Sequence, residues 1–522
     1  MKANLNRGGG KDRNARKDSG VSGAAPGGAV GNAALSAASF LCGACVMVLE
    51  MAGSRVVAPY MGTSLIVWTS LIGIIMSSLA LGYWLGGALA DRWPSPRTLA
   101  RVIGGASAST AVVALAANPL LGALAANVRN VYVASVIAAL LLFALPSFLL
   151  GMVSPFIVRL AMRSLGSAGA TVGRYSALSS AGSILGTFLG GFVLISFLET
   201  PTILWAVAAA LALTALLVYQ RGAALLVPAA VVCAALGILS EAGVMPMKTE
   251  GITINTRYNS IRIMERTALA LNRRVRILQT DPMGAQSLMY VDDPNELYSD
   301  YTKFYDLAFH YKPDAETVLM LGGGGYCVPK HLGETRPGVK VDVVELDPGI
   351  TAAAREYFNL VDRPSMRIFH EDARQFLNRE SAAGELKYDA IFGDVFGSSY
   401  NIPFHLTTAE CMRNVRRLLS DDGVFVVNII STIDGKLFNG IYSSIAASFP
   451  TVMIFPATYP NSVSTRQNIM IVALAADTPP QREADSEYIS SLLGHKWRAP
   501  FEPNSPAFTD AFAPVERYSL VI

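Results

Sequence analysis

A glycine-rich turn followed by an acidic residue is the part of this sequence whose residue types and spacing indicate chemistry. Gly322, Gly323, Gly324 and Gly325 follow the apolar run 318–321, and Glu345 follows the next apolar run. Glycine lets a backbone approach a ligand closely. A carboxylate about 20 residues after such a turn is placed to accept hydrogen bonds from both ribose hydroxyls. The pattern predicts a nucleoside site made by the four glycines and Glu345, and the alternative is a plain tight turn.

Two more acidic residues follow later apolar runs. Asp372 comes shortly after Met366–Phe369, and Asp394 ends the segment YDAIFGD. Because the carboxyl ends of parallel strands share one edge of a sheet, we expect these carboxylates beside the glycine turn. Asp372 suits the amino group of adenine. Each aspartate taken alone has a second interpretation as a helix cap.

The elements that must position these residues alternate between strand and helix. This order predicts a doubly wound α/β domain of the Rossmann type over residues 295–475, with its ligand at the carboxyl ends of the strands. A small β unit over 251–294 precedes it, because the pattern alternates there. Residues 242–250 form a linker, and 476–522 are expected to be a polar, partly ordered C-terminal extension.

The N-terminal part of the chain has a different composition. Residues 1–32 form a basic tail that we expect to be disordered, and 33–241 contain long apolar runs that predict a helical transmembrane domain of about six to eight spans. The formal charge of +3 is too small to indicate nucleic acid binding. Five cysteines give neither a disulfide framework nor a metal site. The candidate spans are 34–53, 65–89, 102–123, 131–158, 176–198, 203–219 and 224–241.

Basic residues are distributed unevenly between the joints of these spans. Arg92, Arg97 and Arg101 lie after the second span, and further arginines after the fourth, whereas the alternate joints carry fewer. This bias, with the basic tail, predicts a cytoplasmic N-terminus and a multi-pass protein of the inner (cell) membrane in contact with lipid. Seven spans would then place the C-terminal half outside. We nevertheless expect a cytoplasmic catalytic domain, which requires that one segment does not cross or that 131–162 crosses twice.

Several motifs together resemble a known family. The series LGGGG, VELD, EDARQFL, YDAIFGDVF and PFHLTTAEC is similar to the polyamine aminopropyltransferases, the spermidine synthases. It more closely resembles their bacterial membrane-fused relatives, and the ending FTDAFAPVERY also resembles that group. The segment YNSI, Tyr258 to Ile261, resembles part of the family's small N-terminal β domain. The resemblance covers roughly residues 251–475.

The resemblance implies a reaction and roles for particular residues. The substrate would be S-adenosylmethionine or its decarboxylated form, with no metal, and a nucleophile would attack the carbon next to the sulfonium and release 5′-methylthioadenosine. Asp394 would accept or orient the proton of an attacking amine, helped by Tyr301, for which Tyr298 and Tyr305 are alternatives in register. Gln286 would contact the substrate. A homodimer is compatible with the family.

Two departures from the family pattern bear on the substrate. Spermidine synthases usually have an aspartate where this chain has Gly325, and a second aspartate where it has Gly397. A dicationic polyamine needs carboxylates to replace its hydration. We therefore expect S-adenosylmethionine itself as donor, attacked at Cγ by an external amine or by its own carboxylate, which would close homoserine lactone.

Other functions remain as alternatives. They are an ordinary polyamine aminopropyltransferase that converts putrescine to spermidine, a methyltransferase that uses S-adenosylmethionine, and a transporter with a nucleoside-sensing domain. Tyr326 is a candidate for lining the pocket. Phe396 and Tyr400 are candidates for holding a sulfonium by cation–π attraction, and His405 for contacting the substrate, each of these three with packing as the second interpretation.

Overall fold

The structure is a computed structural model that describes most of the chain. It describes residues 31–62, 64–128, 130–162, 168–220, 223–241, 251–256, 258–268, 271–280, 284–395, 402–477 and 483–519. Most of the predicted tail, the linker 242–250, and Phe396, Gly397 and Tyr400 lie outside these residues.

The N-terminal part folds into long apolar helices. Six helices are long and apolar enough to cross a membrane, and 227–239 is a shorter apolar stretch. This agrees with the expectation of a helical membrane region. The helices are α1 (Asn32–Met61), α2 (Leu65–Arg92), α3 (Pro96–Asn127), α4 (Val131–Ala161), α5 (Ala168–Phe188, continued by a π-helical turn Leu189–Leu194 into α6, Ile195–Phe197), α7 (Thr200–Val218) and α8 (Ala223–Glu241).

Glycines bring two pairs of these helices into backbone contact. A Cβ at Gly182 of α5 would overlap the carbonyl oxygen of Phe40 in α1, and one at Gly186 would overlap that of Ala44. In the other pair, a Cβ at Gly151 of α4 would lie 2.5 Å from the carbonyl oxygen of Leu79 in α2. Small residues therefore set the spacing of these helices.

The helices alternate in direction, so the two ends of the helical region differ. In the described part of the chain, α4 is one continuous helix although it contains Pro146 and Pro155. The hydroxyl of Thr202, near the start of α7, donates to the carbonyl of Gly237, near the end of α8, at 3.4 Å, so α7 and α8 are antiparallel. The start of α1 and the end of α8 therefore lie at opposite ends of the helical region.

A four-stranded antiparallel sheet follows. Its strands are paired in sequence order, and Ile261 and Ile263 of the second strand point into the core. This alternation gives the sheet one covered face. The strands are β1 (Ile252–Asn255), β2 (Ser260–Ala268), β3 (Arg273–Gln279) and β4 (Ser287–Tyr290).

The α/β domain is built on a seven-stranded sheet. The strand order is β10-β11-β9-β8-β5-β6-β7, with parallel pairing from β9 to β7 and an antiparallel edge at β10 and β11. The strands are β5 (Thr317–Leu321), β6 (Lys340–Val344), β7 (Met366–Phe369), β8 (Tyr388–Gly393), β9 (Leu419–Ser431), β10 (Thr451–Pro456) and β11 (Gln467–Leu474).

Helices cover both faces of this sheet. Apolar side chains of the central strands are buried on both sides, which explains why these strands read as continuous apolar runs. The predicted Rossmann-type architecture is therefore present. The helices are α9 (Asp300–Lys303), α10 (Leu307–Tyr311), α11 (Cys327–Thr335), α12 (Pro348–Tyr357), α13 (Ala373–Ala383), α14 (Ala409–Leu418), α15 (Lys436–Ala446), α16 (Glu487–Gly494) and α17 (Val515–Ser519).

The C-terminal extension packs against this domain more closely than its polar composition indicated. Phe508 is buried, and the backbone N–H of Trp497 donates to the carbonyl of Ile454 at 2.8 Å. Asp510 accepts hydrogen bonds from Arg374 at 2.7 Å and from the hydroxyl of Thr408 at 2.6 Å. The ending that resembles the membrane-fused group is thus part of the α/β domain.

Candidate active site

Backbone hydrogen bonds bring the glycine turn and the ends of two strands to one place. The N–H of Gly322 donates to the carbonyl of Val344 at the end of β6, and the N–H of Asp394 donates to that of Leu321 at the end of β5, both at 2.9 Å. The turn therefore lies between Glu345 on one side and Asp394 on the other. This is the carboxyl edge of the parallel strands, as the sequence predicted.

The turn itself requires glycine at two positions. Gly322 has φ of 91° and Gly324 has φ of 51°, a region that other residues rarely adopt. A Cβ at Gly322 would also lie 2.8 Å from the carbonyl oxygen of Asp394. The backbone can therefore approach a ligand here, although this observation does not identify the ligand.

Tyr326 lies beneath the turn. Its side chain is fully buried, and its hydroxyl shares a 2.7 Å hydrogen bond with that of Thr351. A Cβ at Gly323 would lie 2.6 Å from its ring. Tyr326 is therefore packed beneath the turn, and the expectation that its side chain lines the pocket is wrong.

Glu345 is held by backbone N–H groups. One oxygen accepts from Gly323 at 2.9 Å and Gly324 at 3.3 Å, and the other accepts from Asp347 at 2.9 Å. Burial raises the pKa of this carboxyl, although the three N–H bonds oppose the shift. The carboxylate is thus fixed beside the turn. Each carboxylate oxygen has room for more than one hydrogen bond, so the predicted ribose role remains open to it.

Asp372 caps a helix. Its Oδ1 accepts from the N–H groups of Arg374 at 2.9 Å and Gln375 at 3.1 Å, so it is the N-cap of α13. Its other oxygen, Oδ2, lies 3.3 Å from Nε2 of the half-exposed His405. The capping alternative is correct for Oδ1, and the adenine role predicted for Asp372 would fall to Oδ2.

Asp394 is held at both oxygens by neutral side chains. The hydroxyl of Tyr301 donates to Oδ2 at 3.2 Å, and the amide Nδ2 of Asn428, on β9, donates to Oδ1 at 3.0 Å. Asn428 is fixed in turn by the amide of Asn468, which donates to its Oδ1 at 2.9 Å. Both bonds leave the carboxylate in a single orientation.

Burial changes the acidity of these groups. It raises the pKa of Asp394 to about 6, although the bonds from Asn428 and Tyr301 lower it. Burial and the neighbouring Asp394 also raise the pKa of Tyr301 well above the ordinary value for tyrosine. Tyr301 therefore stays protonated near neutral pH and acts as a donor, whereas Asp394 is the group able to accept a proton.

The structure distinguishes between the three tyrosines in register. The hydroxyl of Tyr301 donates to Asp394, whereas that of Tyr305 donates to the carbonyl of Gly393 at 2.9 Å and also lies close enough to the Asp394 carboxyl to lower its pKa. Tyr298 borders the same small cavity as Tyr301 and Asp394, and its ring lies 5.0 Å from that of Tyr290. The geometry thus favours the predicted partner of Asp394.

The position of Gly325 is filled by neighbouring side chains. Its N–H donates to the hydroxyl of Ser287 at 2.8 Å, and a Cβ there would lie 2.8 Å from the ring of Phe358 and 2.9 Å from Cβ of Ser287. Gln286 precedes Ser287, and its Oε1 accepts from the hydroxyl of Thr280 at 2.5 Å. Gln286 is therefore near the turn, and among the described residues Thr280 is the hydrogen-bond partner of its side chain.

The sequence did not indicate two side chains that contact the site, Asn428 and Ser287. Asn428 is the polar residue inside the apolar run VFVVNII, and that interruption is the signal that would have indicated it. Ser287 gives no such signal, because its contact with Gly325 joins residues far apart in the chain. Within the described residues, no group of three or more histidines, cysteines or acids is placed to hold a metal ion.

The fold and this edge define a Rossmann-type α/β domain with carboxylates beside its glycine turn. Residues 302–479 match the family model described as the spermine/spermidine synthase domain. The chain therefore contains a spermidine synthase domain that follows an N-terminal helical region.

Similar proteins carry related names. The polyamine aminopropyltransferase of Vibrio vulnificus is 34% identical over 168 residues, which are 31% of this chain and 55% of that protein. The probable polyamine aminopropyl transferase of Bifidobacterium longum is 30% identical over 225 residues, 39% of this chain and 49% of that protein. This chain thus spans about half the length of both. The crystal structure of a probable spermidine synthase from Corynebacterium glutamicum aligns at 19% identity with a TM-score of 0.40, covering 48% of this chain and 87% of that one.

Proposed function

We propose that this protein transfers an aminopropyl-type group from an S-adenosylmethionine-derived donor to an amine and releases 5′-methylthioadenosine. The observation that carries the proposal is the Asp394 carboxylate, held by Tyr301 and Asn428 beside the glycine turn. The names of the similar proteins support an amine acceptor, and therefore an ordinary polyamine aminopropyltransferase, more than the cyclisation that the sequence left as one of two possibilities.

The proposed step is a displacement at the carbon next to the sulfonium. The lone pair of a neutral amine forms the new C–N bond, the C–S bond breaks, and its electron pair stays on sulfur as the thioether of 5′-methylthioadenosine. The amine nitrogen becomes acidic as the bond forms, and Asp394 accepts its proton. Glu345 would hold the ribose, and Oδ2 of Asp372 the adenine.

Cyclisation of S-adenosylmethionine is the second candidate. Gly325 supports it, because Ser287 and Phe358 occupy the space in which a carboxylate side chain would meet the donor's ammonium. In that reaction a carboxylate oxygen attacks the same carbon and no proton has to be removed. Cyclisation would therefore not use a proton acceptor at Asp394. For this reason we favour the transfer to an amine.

The test separates these reactions by their substrates and by Asp394. Purified full-length protein is incubated with decarboxylated S-adenosylmethionine plus putrescine, and separately with S-adenosylmethionine alone, and adenosyl products are identified by mass. We expect 5′-methylthioadenosine only with the amine present, and its loss in Asp394→Asn. The same product from S-adenosylmethionine alone, unchanged in Asp394→Asn, would establish cyclisation instead, and S-adenosylhomocysteine would establish a methyltransferase.

A further inference from the structure

A cleft lies between the helical region and the small β unit, away from the carboxyl edge described above. Its volume is about 500 Å³. One wall comes from the C-terminal end of α1, from Ala114, Ala117 and Asn118 of α3, and from the junction of α6 and α7. The other comes from β1, β2 and the turn between them. The helix ends that form it place the cleft at the depth of the headgroup layer of a membrane that these helices cross.

The two walls differ in polarity. The helix ends contribute apolar side chains, among them Val56, Leu198 and Leu204, whereas the β unit contributes mainly polar groups such as Asn255 and Ser260. Such a division suits a ligand that has an apolar part in the bilayer and a polar part at its surface. It does not suit a ligand that is polar throughout.

The charges in the cleft are of both signs. Arg55 of α1 and Arg262 of β2 border it, and so does Glu199, which precedes α7. Arg262 is half-buried, and its guanidinium makes no hydrogen bond or ion pair with the residues that the structure describes. Tyr60 and Tyr258 also line the cleft, and tyrosine is common at the membrane interface. A phosphate beside the arginines and an ammonium beside Glu199 would complement this arrangement.

We propose that this cleft binds the headgroup of a zwitterionic phospholipid, with its phosphate at Arg262 and Arg55. The helical region then contributes a lipid site to the protein in addition to anchoring it. This proposal does not depend on the reaction proposed above, because lipid binding is measured without a substrate.

A series of hydrogen bonds connects the cleft to the carboxyl edge of the parallel strands. Nη1 of Arg55 donates to the carbonyl of Thr256 at 3.2 Å. The side chain of Thr256 and the amide of Asn259, the latter at 3.0 Å, donate to one carboxylate oxygen of Asp347. The N–H of Asp347 in turn donates to Glu345. A headgroup that fixes Arg55 and the turn at Thr256 therefore also fixes the residue that positions Glu345.

The experiment uses the full-length protein, delipidated in detergent, and measures binding by native mass spectrometry and by the shift in melting temperature. The probes are phosphatidylethanolamine, diacylglycerol of the same acyl chains, and inorganic phosphate. We expect phosphatidylethanolamine alone to bind and to raise the melting temperature. Equal effects of diacylglycerol would overturn the headgroup contact, and saturation by inorganic phosphate alone would overturn the lipid as its source.

Variants test the arginine directly. Arg262→Gln should weaken phosphatidylethanolamine binding by at least about tenfold, and Arg262→Lys, which keeps the charge, should restore part of it. Arg274→Gln is the matched control, because Arg274 lies on the neighbouring strand with a 67% exposed side chain outside the cleft. Unchanged lipid binding in Arg262→Gln would contradict the proposal. If Arg262→Gln does not fold, unchanged binding in Arg262→Lys together with equal binding of diacylglycerol would contradict it.

Discussion

The hydroxyl of Tyr301 lies 3.2 Å from Oδ2 of Asp394. Tyr301 belongs to the first helix of the α/β domain, and Asp394 lies at the end of a central strand. Because the pKa of Tyr301 is raised well above the ordinary value, its hydroxyl stays protonated. It therefore donates to the Asp394 carboxylate and stabilises the charge of that group. The pair therefore has fixed hydrogen-bonding roles, with Tyr301 as the donor and Asp394 as the acceptor.

Replacement of Asp394 tests its role as a proton acceptor. Asp394→Asn keeps the shape of the side chain but removes the base, so 5′-methylthioadenosine formation with an amine should fall by about 10²–10⁴-fold. The control is Asp421→Asn, because Asp421 is exposed on β9. A variant that keeps full activity would exclude Asp394 as the base.

The same substitution has a predicted effect on stability. The pKa of Asp394 in the folded protein, about 6, lies above that of an unfolded aspartate, so the ionised carboxylate costs stability above pH 6 and this cost disappears as the pH falls. Asp394→Asn should therefore raise the melting temperature at pH 8 and have little effect near pH 4, where the unfolded aspartate is also largely protonated. The measurement is thermal unfolding at both pH values, and an opposite pH dependence would show that burial does not dominate.

The pH dependence of activity should report Asp394 and its partner Asn428. The rate should fall about tenfold for each pH unit below about 6, because only the ionised carboxylate accepts a proton. Asn428→Ala removes a hydrogen bond to the ionised form, so it should move this acid limb upward by roughly one pH unit. Asn414→Ala, which loses only a surface bond to Asn378, is the control and should leave the profile in place. A lower rate with an unshifted profile would show that Asn428 acts only in folding.

Glu345 should control donor binding more than the chemical step. Glu345→Gln replaces a group that only accepts hydrogen bonds by one that also donates. It also removes the negative charge to which the N–H groups of Gly323 and Gly324 donate. We expect the KM for the donor to rise by roughly 10–100-fold with a much smaller change in kcat. Steady-state kinetics with the donor varied at saturating amine measure this. A fall in kcat at constant KM would place Glu345 elsewhere than at the ribose.

The close neighbours of Gly325 predict what happens when an aspartate is placed at this position. Gly325→Asp restores the residue usual in spermidine synthases, but its Cβ would lie 2.8 Å from Phe358, so the variant should lose stability rather than gain activity. The double variant Gly325→Asp with Ser287→Gly should recover part of that loss, because it removes one of the two neighbours. Melting temperatures and rates with decarboxylated donor measure both effects. Improved activity in the single variant would show that the space is present.

The direction of the helices predicts the membrane topology. Because α1 starts and α8 ends at opposite ends of the helical region, the N-terminus and the catalytic domain should lie on opposite faces of the membrane. Reporter fusions at each terminus should therefore give opposite signals. Signals from the same face would mean that one helix does not cross. The charge bias predicts a cytoplasmic N-terminus, and this cannot hold together with a cytoplasmic catalytic domain if all seven helices cross.

Much of the α/β domain could be predicted from the sequence, since its central strands are buried on both faces and give unbroken apolar runs. The predicted runs at 318–321 and 341–344 differ from β5 and β6 by one residue each. The acids were predictable because they follow directly from strand ends. Contacts between distant segments were not, and these include the bond from Ser287 to Gly325 and the burial of Tyr326 beneath the turn. Tyr326 is a bulky residue with φ of 55°, a conformation that sequence patterns do not reveal.

The glycine contacts between α1 and α5 limit how the helical region can move. No layer of side chains separates the two backbones at Gly182 and Gly186, so a slide by one residue would drive the next residue's Cβ into the carbonyl of Phe40 or Ala44. The same holds for α2 and α4 at Gly151. At these contacts each pair therefore resists a slide by one residue. In a transporter that works by shearing these helices past one another, a Cβ would overlap a backbone carbonyl, and a change of side-chain rotamer cannot remove such an overlap. These contacts therefore favour a helical region that supports the α/β domain without sliding.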